Sequence, residues 1–374
     1  MNANAEHSAK VLIINQLSKK FGSRFAVHEA TWSATRGQIT CLLGHSGCGK
    51  TTMLRLIAGL ETPTSGAIQL EQTILWNEEQ HLPAEARHIG LVFQDYALFP
   101  HLNVLENVKF GLKKFNKNQQ QEIVDQALKL VSMHHHRLSY PYTLSGGEQQ
   151  RIALARALAP NPHVLLMDEP FSNLDHRLRD QIRKSTIELL KQTASTAVIV
   201  THDPEEALQI ADQIILMHQG QILQIGTPKQ LYFQPATLFA ARYFSALNEI
   251  PAQRVGDQIT TLFGQTAAPA NLTEAELSIS CYFRPHQVRV SREPVAGAVA
   301  CKVMSSSFMG HASQLDLQLV SEPISLLAQV DHLQQYSEYE IVYVSVDLAA
   351  CFFFAPDEHS GVTHTSQLEH DVQI

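Results

Sequence analysis

The chain has 374 residues, too many for one ordinary hydrophobic core and enough for two domains. With 44% hydrophobic and 17% charged residues it is composed to pack rather than to stay disordered. A net charge of −8 without a long basic run argues against nucleic acid as a partner, and five scattered cysteines argue against a disulfide framework or zinc site and for a reducing compartment.

Residues 1–10 are polar, with no apolar signal segment, and no stretch reaches the roughly 18 to 20 apolar residues that span a bilayer. A membrane role would need another chain to supply the span. Residues 11–14 form a short apolar run. Residues 39–43 form another, followed at once by a glycine-rich stretch. From Lys50 onward Met53, Leu54, Ile57 and Leu60 recur at helical spacing. The pattern is strand, tight loop, helix. A more helical insert is expected over about 101–158, with pieces at 104–112, 119–131 and 146–158. Residues 164–167 and 198–200 are continuous apolar runs of the buried-strand type, separated by a helix over about 175–190. Buried strands alternating with helices predict an α/β fold with a largely parallel sheet. Gln219-Gly220 reads as a hairpin turn, and Thr227-Pro228 as a helix cap with a first-turn proline. After about Tyr243 short alternating runs (278–283, 288–290, 299–303, 315–320, 341–346) predict a small all-β, barrel-like domain over 244–355. A polar tail follows over 356–374.

The strongest motif is Gly44-His45-Ser46-Gly47-Cys48-Gly49-Lys50-Thr51, which matches G-x-x-x-x-G-K-[ST] and runs into the helix through Thr52. Glycines let such a loop wrap tightly with its N–H groups aimed at phosphates, and the helix adds its positive N-terminal end. Lys50 is placed to reach β- and γ-phosphates, and the Thr51 hydroxyl to ligate Mg²⁺. The bland alternative is a glycine-rich turn before a helix. Its position between a buried strand and an amphipathic helix weakens that alternative. The run Val164-Leu165-Leu166-Met167-Asp168-Glu169 carries an acidic pair to a strand's C-terminal end, where open α/β sheets bind ligands. Asp168 suits Mg²⁺, and Glu169 suits a general base for an attacking water. Alone, the pair would read as a solvated strand end; beside the phosphate loop it does not.

Leu144-Ser145-Gly146-Gly147-Glu148-Gln149-Gln150-Arg151 resembles the ABC signature, and with the two motifs above it identifies residues 11–243 as similar to the ABC-type ATPases. The resemblance implies a P-loop ATPase domain over 1–243, ATP and Mg²⁺ as cofactors, and a homodimer. In that family Ser145, Gly146 and Gly147 would contact the ATP held by the partner subunit. Phe21 resembles the aromatic residue that stacks on adenine; a core phenylalanine is its other reading. Gln94 matches the glutamine that touches Mg²⁺ or water and links the site to a permease. Ser172-Asn173-Leu174-Asp175 matches the loop crossing the dimer interface, and His202 the histidine that contacts the γ-phosphate. No motif needed for catalysis is altered. His134-His135-His136 lacks a carboxylate or cysteine at ligand spacing and reads as an exposed loop, as do His359, His364 and His370 in the tail.

The region after Tyr243 resembles the small β-barrel (TOBE-like) accessory domain of importer ATPases. Its arginine-proline element is Arg284-Pro285, with His286 where relatives more often carry an acid. The 82–90 segment and the compact barrel ending at Phe354 look most like the ferric-iron subgroup, although polyamine, sulfate and phosphonate importers share most of these features. The resemblance implies a peripheral ATPase on the cytoplasmic face of the inner membrane, working under transmembrane permease subunits that receive cargo from a periplasmic substrate-binding protein. A non-transport ABC ATPase is the rival. One phosphate loop, no sustained heptads and the acidic balance disfavour it. An inactive member would need broken motifs, and an exporter a fused membrane domain.

Overall fold

The computed structural model describes residues 10–269 and 278–354; the tail and its three histidines lie outside them. The chain separates into two compact units at Ala236/Thr237. No described helix is long and apolar enough to cross a membrane.

The first unit opens with β1 (Lys10–Phe21) and β2 (Arg24–Thr35), antiparallel strands joined by a two-residue turn. Only 11–14 stood out in the sequence because β1 is bulged: its register on β2 shifts between Ile14 and Leu17 and twice more before Lys20, which breaks the two-residue alternation. Then come β3 (Ile39–Leu43), buried at every position, and α1 (Lys50–Ala58). β4 (Ser65–Leu70) and β5 (Thr73–Trp76) complete an antiparallel sheet of order β2-β1-β4-β5. After β6 (Ile89–Val92) follow three helices, α2 (Val104–Lys109), α3 (Lys117–Leu130) and α4 (Gly146–Leu158). Each starts on a reciprocal capping box, Asn103/Glu106, Asn116/Gln119 and Ser145/Glu148, which fixes the helix starts. The rest alternates: β7 (Val164–Asp168), α5 (His176–Gln192), β8 (Ala197–Thr201), α6 (Pro204–Ile210), β9 (Gln213–His218), β10 (Gln221–Gly226) and α7 (Pro228–Phe233). Gln219 and Gly220 both have positive φ (48° and 83°), as a two-residue hairpin requires, and Thr227 caps α7.

The second sheet has the order β10-β9-β3-β8-β7-β6 and is parallel except for β10. α1 contributes Met53, Leu54, Leu56 and Ile57 to a core shared with Leu12 and Trp32 of the first sheet and Leu166 and Val200 of the second. At about 1.5–3 kcal/mol per fully buried side chain, these four outweigh what nine residues of helix propensity supply. A charge at Leu56 would break that packing.

The second unit starts with α8 (Leu238–Phe244), which the sequence reading had placed in the first domain. The reason lies in Arg284, 1% exposed, which donates to the Ala241 carbonyl (3.3 Å) and to Ser245 Oγ. Among the described residues ten strands follow: β11 (Asn248–Val255), β12 (Gln258–Thr261), β13 (Gly264–Ala267), β14 (Ser278–Phe283), β15 (Val288–Ser291), β16 (Val299–Phe308), β17 (Ala312–Leu319), β18 (Ser325–Asp331), β19 (Ile341–Val346) and β20 (Phe352–Phe354). They form two antiparallel sheets, β13-β12-β11-β14-β20 and β15-β19-β16-β17-β18, around one core that includes Ile250, Cys281, Phe283, Leu315 and Val344. Asn248 on β11 bridges the sheets through two hydrogen bonds to the backbone of Leu327 (2.8 and 2.6 Å). His286 sits below the ordinary histidine range because of burial and the neighbouring Arg284.

Candidate active site

Four adjacent parallel strands, β3, β8, β7 and β6, run in register, pairing Leu43 with Thr201, Asp168 with Val200, and Val92 with Met167. Their C-terminal ends therefore stop at one edge, and the segments leaving them are 44–49, 202–203, 169–175 and 93–102. This edge is where an open parallel sheet collects functional side chains.

The loop after β3 is held by close backbone approach. Gly49 has φ +108°, and a Cβ there would lie 2.0 Å from the Ala26 carbonyl oxygen; at Gly44 a Cβ would meet the Met217 carbonyl oxygen at 2.3 Å. No other residue fits these positions without moving the loop. Lys50, 4% exposed, turns its Nζ back to donate to the carbonyls of Gly44 (2.6 Å) and His45 (3.0 Å). His45, Ser46, Gly47 and Cys48 complete the loop. The Cys48 thiol is pushed up by burial. Thr51 and Thr52 lie in the first turn of α1.

Thr51 Oγ1 donates to Asp168 Oδ1 (3.1 Å). Asp168 is buried, which raises its carboxyl; the Thr51 bond opposes that. The next residue, Glu169, has φ +40°, a left-handed backbone that a glutamate rarely adopts. Its N–H donates to the Val200 carbonyl (3.1 Å), its carbonyl accepts from Ser172 Oγ (2.9 Å), and its Oε2 lies 3.1 Å from His202 Nδ1. Gln94 Nε2 reaches Ser172 Oγ at 3.4 Å, and its carbonyl accepts from Asn173 Nδ2 at 3.0 Å. Asp175 precedes α5, where its carbonyl accepts from the Arg179 N–H (2.7 Å). The structure thus brings Thr51, Gln94, Asp168, Glu169 and His202 to one edge.

A family model described as "ABC transporter" matches residues 27–172. The Haemophilus influenzae protein "Fe(3+) ions import ATP-binding protein FbpC 2" is 43% identical over 254 residues, 67% of this chain and 71% of that protein. "Sulfate/thiosulfate import ATP-binding protein CysA 2" of Chromobacterium violaceum is 41% identical over 311 residues, 82% and 84% of the two chains. Among solved structures, cbiO1 from Clostridium perfringens, part of the ABC transporter complex cbiONQ, superposes with TM-score 0.55 and 29% identity over 63% of this chain and 92% of its own. The chain is an ATP-binding subunit of the ABC importer family.

Two sequence-predicted elements of this ABC subunit stand apart from the Glu169–His202 pair. Phe21 ends β1 half-exposed, with Lys19 Nζ 4.8 Å from its ring centroid; the core alternative for Phe21 is excluded by that 51% exposure. Ser145, Gly146 and Gly147 open α4, where Ser145 and Glu148 exchange bonds (Ser145 N–H to Glu148 Oε2, 2.8 Å; Ser145 Oγ–H to the same oxygen, 2.7 Å). These bonds hold the Glu148 carboxyl below its usual range, with His136 and His135 adding to the effect. Gly147 is buried, and a Cβ there would press on Ile182 Cδ1 at 3.1 Å.

The histidine tract needs a correction. Carboxylates do stand beside it: His134 Nε2 is 3.3 Å from Asp125 Oδ1 and His136 Nε2 is 3.3 Å from Glu148 Oε1. They come from the flanking helices α3 and α4, too far along the chain for the short spacing of a ligand motif to reveal them. Among the described residues no cluster of three or more such groups could hold a metal.

Three supporting residues also escaped the sequence reading. Arg156 donates to the carbonyls of Ala97 (2.7 Å) and Tyr96 (2.9 Å), shaping the loop after Gln94. Asn107 pins that loop by bonding both the N–H and the carbonyl of Phe99 (2.8 and 3.1 Å). Arg87, 1% exposed, donates to the carbonyls of Leu56, Ile57 and Leu82 (each 2.8 Å) and so closes the C-terminal end of α1. A single Arg or Asn carries no local signal of such roles.

Proposed function

We propose that this subunit hydrolyses ATP at the edge built by β3, β6, β7 and β8 and that hydrolysis drives import through a separate permease. The observation that carries the reading is the contact of Glu169 with His202 beside the Thr51–Asp168 pair. The loop from Gly44 to Thr52 would cradle the phosphates with its N–H groups, Lys50 exchanging its own loop carbonyls for β- and γ-phosphate oxygens. Glu169 would take the proton of the attacking water, and His202, oriented by Glu169, would donate to the γ-phosphate. The Thr51 hydroxyl and Asp168 carboxylate are hard oxygen donors already in contact, which fits Mg²⁺; with Gln94 they would hold that ion, which offsets charge on the β- and γ-phosphates. Phe21 would stack on adenine from its exposed position. Ser145, Gly146, Gly147 and Asp175 would complete the site of a second copy in a homodimer.

We assign the work to the cytoplasmic face of the cell membrane, under a permease fed by a periplasmic binding protein, with ferric iron as cargo. The support for iron is the relatives named for Fe(3+) import. The 82–90 segment supports it less, because packing under α1 already accounts for Arg87. Sulfate is the runner-up, after relatives so named. A deletion strain fed ferric iron as its only iron source should lose radiolabelled iron uptake and keep sulfate and spermidine uptake. Normal iron uptake with loss of either of the others would refute the iron assignment and leave the motor intact.

A further inference from the structure

The segment after β8 carries a buried acid that the site described above does not use. Glu206, in the first turn of α6, is 7% exposed, and burial raises its carboxyl above the usual range. Thr201 Oγ1 donates to its Oε2 at 2.5 Å and accepts from the Asp203 N–H at 3.1 Å. Asp203 Oδ1 in turn accepts from the N–H groups of Glu205 (2.9 Å) and Glu206 (3.2 Å). These bonds close a ring whose span contains His202, so the Thr201 hydroxyl clamps the backbone on both sides of the histidine. The other oxygen, Glu206 Oε1, has no hydrogen-bond partner, and neither has Arg179 Nε. Both residues line a cavity of about 80 Å³ shared with Glu169, Ser172, Thr201 and His202. A polar cavity of that size has room for water, and the two buried orphan groups are suitable partners for it. Arg179 is also tied to the dimer-loop segment, donating from Nη2 to the Leu174 carbonyl (3.3 Å).

We propose that Glu206 is a positioning residue for ATP hydrolysis. It sets His202 against Glu169 through the Thr201 hydroxyl, and it joins that clamp to the 172–175 loop through water shared with Arg179. This rests on the reading of Glu169 and His202 given above. A buried carboxyl group bonded to one hydroxyl contributes on the order of a tenfold effect when removed.

The test is steady-state ATPase kinetics on the full-length chain, with nucleotide affinity measured separately. Glu206→Ala and Thr201→Val should each lower kcat roughly 10-fold with KM for ATP unchanged. The double variant should lose clearly less than the product of the two single losses, because both single variants break the Thr201–Glu206 bond. Glu206→Gln, whose amide oxygen can still accept from Thr201, should recover most of the rate. If Glu206→Ala does not fold, Thr201→Val and Glu206→Gln carry the test. Wild-type kcat in Glu206→Ala or Thr201→Val, multiplicative losses in the double variant, or a Glu206→Gln no better than Glu206→Ala would each overturn the proposal. His202→Ala separates the two levels. If it leaves kcat intact, the reading of the active site itself is wrong. If it lowers kcat while Glu206→Ala does not, only the role of Glu206 falls.

Discussion

Replacing Glu169 should separate chemistry from stability in a way the backbone makes specific. The residue has φ +40°, and a left-handed non-glycine residue costs roughly 1–2 kcal/mol. The strain is held by the Glu169 N–H on Val200 and by Ser172 on the Glu169 carbonyl, contacts that do not involve the side chain. Glu169→Gln keeps the shape and loses only the proton acceptor. Its kcat should fall by about 10²–10⁴, on the order of 3–5 kcal/mol of barrier, with ATP affinity unchanged. Glu169→Gly loses the side chain and is equally inactive, yet relieves the backbone. The relief of roughly 1–2 kcal/mol is offset by about 0.5–1 kcal/mol of added unfolded-state entropy and by the lost contact with a half-exposed His202, worth about 0–1 kcal/mol. The glycine variant should therefore stay within roughly 1 kcal/mol of wild type or exceed it. Single-turnover phosphate release and nucleotide-free urea unfolding, run on both variants, test the two halves. Wild-type turnover in Glu169→Gln would remove the base assignment. A loss of more than about 1 kcal/mol in Glu169→Gly would show that the side chain, not the backbone, holds this position.

Other substitutions test the remaining parts of the site and its support. Lys50→Ala removes the cation enclosed by the loop carbonyls and should weaken ATP binding at least about tenfold in a fluorescent-nucleotide titration; an unchanged affinity would take Lys50 out of the site. Arg87→Met strips three carbonyls of their donor and should cost about 3 kcal/mol, read as a lower urea midpoint. The Glu148 carboxyl is depressed mainly by its bonds to Ser145, so its contribution is fully present above the unfolded value of about 4.5 and is lost as pH falls through the lower folded value. The stability gap between wild type and Glu148→Ala should thus stay constant from neutral pH to about pH 5 and shrink progressively as pH falls below 4.5. A gap that persists in acid would assign the effect to packing.

Much of this subunit was legible in the linear chain, and the reason is local. The glycine loop, the acidic pair after a buried strand, the Thr227 helix cap and the Gln219-Gly220 turn all depend on neighbours within a few residues. β3, α4 and β19 accordingly lie where periodicity places them, at Ile39–Leu43, Gly146–Leu158 and Ile341–Val346. The antiparallel sheet was mostly invisible because the bulges in β1 break its alternation, and β6, four residues long with a central glycine, offers no period to read. Only the tertiary structure decided which of the marked residues meet. The strand order β3-β8-β7-β6 sets Asp168 beside Thr51, 117 residues away, and Glu169 beside His202. The same holds for the buried partners. Glu206 is five residues from Thr201 yet nothing in its sequence context distinguishes it from its exposed neighbour Glu205, and Arg87 meets α1 across about 30 residues. Burial and the partners it forces on a polar group are properties of the packed chain, because they depend on what lies on the other side of the side chain, and a sequence does not record that.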